Sequence, residues 1–292
     1  MRKPVIRLLA VLVLSLACTS GCTPAPEPEH REMDGSPVRI VSLFPSWTEV
    51  LFALGVGDRV VGRSRHCDHP PEVRGLPAVG DGFSLNLEAL LSLKPDLVLL
   101  YDRALCSRIQ RLGIQALSVQ GETLEEIYAA YETIAEAVGV SGKGRVLSAR
   151  VRREIEEQGQ RFAGAVRKRV LWCVDGRSGH VVGSGNFVHE LLLVVGGVNV
   201  ASDAARSYPV YSLEAAIRKD PEVILDSTSP GGFGENGTLK TFIQGLRVTT
   251  AGRKGRILNV SHNLVTRSGP RLGRAAELLG ELIHPEWAGS GK

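Results

Sequence analysis

Asn86-Leu-Glu-Ala-Leu-Leu-Ser-Leu-Lys-Pro-Asp-Leu-Val-Leu-Leu-Tyr101 joins a helix start, a helix stop and a buried strand. Asn86 is a good N-cap, and Glu88 falls in the first turn, where the helix dipole favours a carboxylate. Pro95 ends the helix, because its ring cannot continue the ladder. Leu97 to Tyr101 is a short apolar run that suits a strand covered on both faces. The same grammar returns at Ser212-Leu-Glu-Ala-Ala-Ile-Arg-Lys-Asp-Pro-Glu-Val-Ile-Leu-Asp226, with Ser212 as cap, Glu214 for Glu88 and Pro221 for Pro95. The spacing predicts two related halves, each carrying a glutamate at a helix start.

The chain has 292 residues, enough for two ordinary domains. At 43% hydrophobic and 23% charged it can bury substantial cores. A net charge of +4 with no basic patch interleaved with stacking aromatics gives no signature of nucleic-acid binding. Five cysteines without paired Cys-x-x-Cys spacing exclude a disulfide scaffold and a zinc ribbon. His66-Cys67-Asp68-His69 is too compressed to fold around one ion, so no metal site is expected. Cys67 and Cys106 each follow a strand; in an oxidising compartment they either pair or stay as free thiols.

Residues 1–22 have the form of an export signal. Arg2, Lys3 and Arg7 precede the apolar Leu8 to Ala17, which is too short to span a bilayer. Thr19-Ser20-Gly21-Cys22 has the small residues of a bacterial lipobox, which makes Cys22 the expected lipidation site and a membrane anchor. A plain secretory signal is the alternative. Residues 23–37, rich in proline and charge, read as a flexible tether.

Strands and helices then alternate, which argues for parallel α/β sheets. An N-terminal lobe is expected over 38–140, with strands at Val38–Leu43, Arg59–Gly62, Leu97–Tyr101 and Ile114–Val119. Ser46-Trp47-Thr48-Glu49 and Thr123-Leu124-Glu125-Glu126 both have capping-box form. A bridging segment, 141–167, contains no proline. Its apolar Leu147, Val151, Ile155, Phe162 and Val166 share one helical face, so Ser141 to Val166 reads as a single helix of roughly seven turns. A C-terminal lobe is expected over 168–285, ending in a helix from Pro270 to Ile283, with a tail at 286–292. The two halves are expected to meet only through the bridging helix.

Several motifs carry a resemblance. Arg39-Ile-Val-Ser-Leu-Phe-Pro-Ser-Trp-Thr-Glu49, Arg59-Val-Val-Gly-Arg-Ser, Cys67-Asp68-His69-Pro70-Pro71, the Asn86 unit and Gly269-Pro270-Arg271…Ile283-His284-Pro285 are similar to the helical-backbone (class III, periplasmic binding protein type 2) substrate-binding proteins of ABC importers. The chain most resembles their vitamin B12-binding branch, over about Val38 to Pro285. The resemblance implies two Rossmann-like lobes with parallel sheets, joined by one long helix, and a ligand cleft between them. It implies a non-enzymatic, monomeric, lipid-anchored protein on the extracytoplasmic face, which serves a permease dimer and its ATPase subunits.

The implied ligand is a cobalt corrinoid, with a ferric siderophore or haem as the alternative. A broad plate with apolar faces and polar edges needs an apolar-walled cleft with a few polar contacts. Pro45, Trp47, His66, Phe83, Phe187, Tyr208 and Arg267 are the candidates. Tyr208 lies six residues before Glu214, where the B12-binding branch carries a tryptophan. His66 stands where that branch has a tyrosine. Trp47, in the first turn of a helix, reads equally as core. Glu88 and Glu214 are the implied permease-docking residues. A chelatase-like enzyme on the same architecture would need a buried His/Glu pair in the cleft, with His66 or His189 supplying the histidine. No Ser-His-Asp order or glycine-rich phosphate loop with lysine points to catalysis.

Overall fold

Short apolar runs bounded by caps and prolines set the order of the elements. In the computed structural model, residues 38–80, 85–175, 178–204, 206–227, 241–260 and 262–288 are described. All fall within one compact unit, Glu32–Lys292. The export signal, the tether, Cys22 and Phe83 lie outside the described residues.

The first half runs β1 (Ile40–Ser42), α1 (Pro45–Ala53), β2 (Val60–Arg63), α2 (Leu87–Ser92), β3 (Leu97–Leu100), α3 (Arg103–Gln110), β4 (Ala116–Ser118) and α4 (Leu124–Ala137). Its four strands form one parallel sheet in the order β2-β1-β3-β4. α5 (Ser141–Arg161) follows. The second half runs β5 (Lys168–Asp175), β6 (His180–Val181), α6 (Phe187–Val194), β7 (Gly197–Asn199), α7 (Leu213–Lys219), β8 (Val223–Asp226), α8 (Thr241–Gly245), α9 (Thr250–Arg253), β9 (Ile257–Asn259), α10 (His262–Val265) and α11 (Leu272–Ile283). In its sheet β5 pairs in parallel with β7 and β8, β8 pairs in parallel with β9, and β6 adds an antiparallel edge. That edge strand lies within the glycine-rich stretch 175–185.

The internal repeat holds down to single hydrogen bonds. Asn86 and Ser212 cap α2 and α7 through their side chains. Lys94 and Asp220 both turn left-handed at φ 44° immediately before a proline, where the proline ring disfavours right-handed helix. Arg39 donates from Nε to Leu93 O at 2.9 Å, and Arg169 donates from Nε to Asp220 O at 2.9 Å. The amide of Arg39 meets Asp96 at 2.8 Å, and that of Arg169 meets Glu222 at 3.0 Å. The first strand of each lobe is thus tied to the turn that launches its neighbour.

Three expectations need correction. α1 has no capping box: it begins at Pro45, whose fixed φ suits the first helical position, and Phe44 is the N-cap. Ser46 and Glu49 are buried within it. α5 has 21 residues and stops at Arg161 instead of reaching Val166. Phe162 turns into the core, and Val166, beyond the turn, is 74% exposed. The amide of Ala165 closes that turn on Phe162 O. Of the two alternatives left open for Cys67 and Cys106, the structure has buried free thiols.

Third, the lobes do not meet only through α5. One hydrophobic core runs through both, from Trp47, Leu51 and Tyr131 to Trp172, Leu191 and Leu279. Tyr131 Oη donates to Gly269 O at 2.7 Å, and the Phe187 amide donates to Glu122 O at 2.6 Å. α5 packs against both α4 and α11. A Cβ on Gly144 would stand 2.5 Å from the Ala135 Cβ, and one on Gly280 would stand 2.0 Å from Phe162 Cε2. Both glycines therefore allow the spine to be approached closely.

Candidate functional site

In a parallel sheet the carboxyl ends of the strands point one way, and ligands gather beyond them. Here β1 delivers Phe44 and Pro45, β2 delivers Arg65, His66 and Asp68, and β3 delivers Tyr101. From the second lobe, the segment after β9 brings Asn263, Thr266 and Arg267. Phe44, Pro45, Ser46, Arg65, His66, Asp68, Asn263, Thr266 and Arg267 line a pocket of about 380 Å³ between the lobes.

A buried ionic network forms one wall. Glu49, only 4% exposed, receives Arg271 at two points, Nε to Oε2 at 2.8 Å and Nη2 to Oε1 at 2.6 Å. Arg267 reaches Glu49 at 3.3 Å, Asp68 at 2.5 Å and His66 O at 3.2 Å. Asn263 donates to the other Asp68 oxygen at 3.0 Å. Partial burial would raise the Asp68 pKa, but the hydrogen bond and charge of Arg267, helped by Arg74, hold it below the usual carboxylate range. Two guanidinium groups thus face two carboxylates, which neutralise them locally.

The aromatic wall continues from Phe44. Its ring stacks on Tyr101 with centroids 5.0 Å apart. Tyr101 Oη donates to Glu122 Oε1 at 3.3 Å, and Ser207 Oγ, from the second lobe, donates to Glu122 Oε2 at 3.5 Å. Tyr208 beside it is 45% exposed. Burial of the covered part of its ring, then the charge of Glu122 and the nearby Tyr101, push its phenol up to about 12. Burial and the same Glu122 charge also raise Tyr101. Both phenols therefore stay protonated at neutral pH.

The candidates divide cleanly. Pro45, His66 and Arg267 line the pocket, and Tyr208 stands exposed at the aromatic wall. Trp47 does not reach the site: it is fully buried, with Nε1 donating to Val119 O at 3.1 Å, because the first turn of α1 faces the lobe's own core. Phe187 is likewise in the core, 6% exposed at the start of α6. Glu88 and Glu214 are exposed in the first turns of α2 and α7. His189 is half-buried and contacts Asn199 Nδ2 at 3.2 Å. Burial lowers its pKa. Glu190 is committed to the Leu124 amide at 2.7 Å.

Sequence reasoning missed Phe44, Asp68, Tyr101 and Glu122. Tyr101 had a usable signal, as the residue at the carboxyl end of a buried parallel strand. Asp68 had none, because its partner Arg267 is remote in the chain. Among the described residues, no group of three or more His, Cys, Asp or Glu side chains is placed to hold a metal ion. No helix among them is long and apolar enough to cross a membrane.

Comparison with known proteins agrees with this geometry. An uncharacterised ABC transporter substrate-binding lipoprotein of Bacillus subtilis is 32% identical over 261 residues, which cover 86% of this chain and 81% of that protein. A vitamin B12-binding protein of Vibrio cholerae is 28% identical over 228 residues, covering 76% and 79%. Among solved structures, a periplasmic haem-binding protein of Roseiflexus sp. RS-1 superposes with a TM-score of 0.73 at 28% identity, covering 85% of this chain and 98% of that one. Residues 40–261 match the periplasmic binding protein family. With two parallel-sheet lobes, a spine helix and a pocket between the lobes, the chain belongs to the periplasmic binding protein family, and is a substrate-binding protein of the ABC transporter type and not an enzyme.

Proposed function

We propose that this chain captures a corrinoid outside the cytoplasm and delivers it to the permease of an ABC importer. The observation that carries this reading is the wall formed by Phe44, Tyr101 and Tyr208, which brings aromatic side chains from both lobes to one cleft. Flat ligands with apolar faces gain most from such walls. The similarity to proteins named for vitamin B12 binding supports the same ligand class.

Haem is the second reading. It is favoured by the similarity to the Roseiflexus haem-binding protein and by His66, an imidazole exposed at the pocket. A protein lacking residues 1–22, titrated with cobalamin, cobinamide, haemin and a ferric siderophore and followed by absorbance, separates the two. Saturable binding of cobalamin or cobinamide in preference to haemin is expected; the reverse order overturns the corrinoid reading.

Delivery rests on Glu88 and Glu214. One exposed glutamate at each related helix start offers a two-fold symmetric permease dimer two similar anionic points. In this reading Cys22 carries the lipid, and residues 23–37 give the folded part reach from the membrane.

A further inference from the structure

Glu122 is the acidic group that touches both lobes at the aromatic wall. It accepts Tyr101 Oη at 3.3 Å from the first lobe and Ser207 Oγ at 3.5 Å from the second. Its backbone carbonyl accepts the Phe187 amide at 2.6 Å, so its main chain is pinned between the lobes as well. The side chain stays exposed, with oxygen lone pairs left for a ligand. On the pocket side, Arg267 is already spent on Glu49 and Asp68. The cleft therefore offers a carboxylate at one wall and, at another, the neutralised guanidinium of Arg267 beside Arg65.

We infer that Glu122 is a specificity-determining residue that selects a plate rimmed with amides over a plate rimmed with carboxylates. The inference rests on the corrinoid reading. An ionised carboxylate accepts an amide N–H in a charge-assisted bond. Facing a ligand carboxylate it can only repel, because the two groups carry like charge and offer acceptors with no donor between them. Tyr101 and Ser207 do not offset this, since Tyr101 spends its hydroxyl proton on Glu122 and Ser207 divides its own between Glu122 Oε2 and Gly185 O, each at 3.5 Å. The ligand edge therefore meets the acceptor and not the donors.

Two probes isolate the edge from the ring. Cobinamide carries amides around a cobalt corrin, and cobyrinic acid is the same corrin with carboxylic acids in their place. The wild-type protein is expected to prefer cobinamide by about tenfold or more at low salt. That ratio should narrow as ionic strength rises, since the repulsion acts through a screened, solvent-accessible cleft. Glu122→Gln keeps the acceptor oxygen and the shape but removes the charge. It should bring the ratio to within about threefold, chiefly by tightening cobyrinic acid, with the melting temperature unchanged. An unchanged ratio in Glu122→Gln, or a wild-type ratio indifferent to salt, overturns the inference while the corrinoid reading stands. Binding of neither corrinoid overturns both. Should the variant fold poorly, the salt dependence of the wild-type ratio decides alone.

Discussion

Arg271 grips Glu49 through two hydrogen bonds of 2.8 and 2.6 Å, joining the first helix of the fold to the entrance of the last. The carboxylate is almost fully buried, and a Cβ on Gly269 would stand 2.8 Å from its Oε2. This pair, with Arg267 and Asp68, holds the lobes together beside the pocket. Removing Arg271 leaves the buried Glu49 only its 3.3 Å contact with Arg267, at a cost approaching the roughly 3–5 kcal/mol of a broken buried pair. Arg271→Ala should therefore lower the urea midpoint strongly, and Gly269→Ala should do so to a lesser degree. Midpoints within error of the wild type would show that the pair does not brace the lobes.

Trp47 and Tyr208 should separate on mutation although both are aromatic candidates. Trp47→Ala empties a core site and should cost about 3–5 kcal/mol of stability. Tyr208→Ala removes a half-exposed ring and should leave the melting temperature nearly unchanged. It should weaken corrinoid binding about tenfold, the scale of one aromatic contact. Calorimetric titration showing full affinity would remove Tyr208 from the site.

Glu88→Ala with Glu214→Ala should leave folding and ligand affinity intact, because both side chains are exposed and the caps Asn86 and Ser212 remain. Stimulation of the transporter's ATPase and uptake into reconstituted vesicles should be lost. Normal uptake by the double variant would end the docking role.

His284 is fully buried between Val195 O, which meets its Nε2 at 3.0 Å, and the Phe162 ring. Its Nδ1 has no hydrogen-bond partner among the described residues, and Glu286 lies 3.8 Å away with Lys168 on the same oxygen. Burial pulls its pKa below the ordinary 6.5, against the opposing pull of Glu286. Between the folded value and roughly 6.5 the unfolded chain binds more protons, so stability falls as pH drops through that window. His284→Gln should be less stable throughout but show a shallower loss from pH 7.5 to 5.5 in urea unfolding. The remaining slope should include a share from His189, which is also shifted down by burial. Parallel slopes for variant and wild type would exclude His284 as a source.

Cys22→Ser should release the protein from membranes into the soluble fraction. Pelleting with membranes after a salt wash would rule out lipidation at that residue.

The sequence by itself determined the repeated units around Asn86 and Ser212, their caps and stops, the parallel α/β class and the spine helix. All of these are written in contiguous residues, where a cap bonds the amide three positions on and a proline blocks the next turn. It also supplied Pro45, His66, Tyr208 and Arg267 as candidates for the cleft. Only the tertiary structure decided that Trp47 and Phe187 belong to the core, that α5 stops at Arg161, and that the lobes share one apolar interior. The same holds for the joining of Asp68 to Arg267 and of Glu122 to Tyr101 and Ser207. Helical periodicity says which residues share a face, but not whether that face meets a core or a cleft. An ion pair between distant residues leaves no local pattern, because its geometry exists only once both lobes have packed.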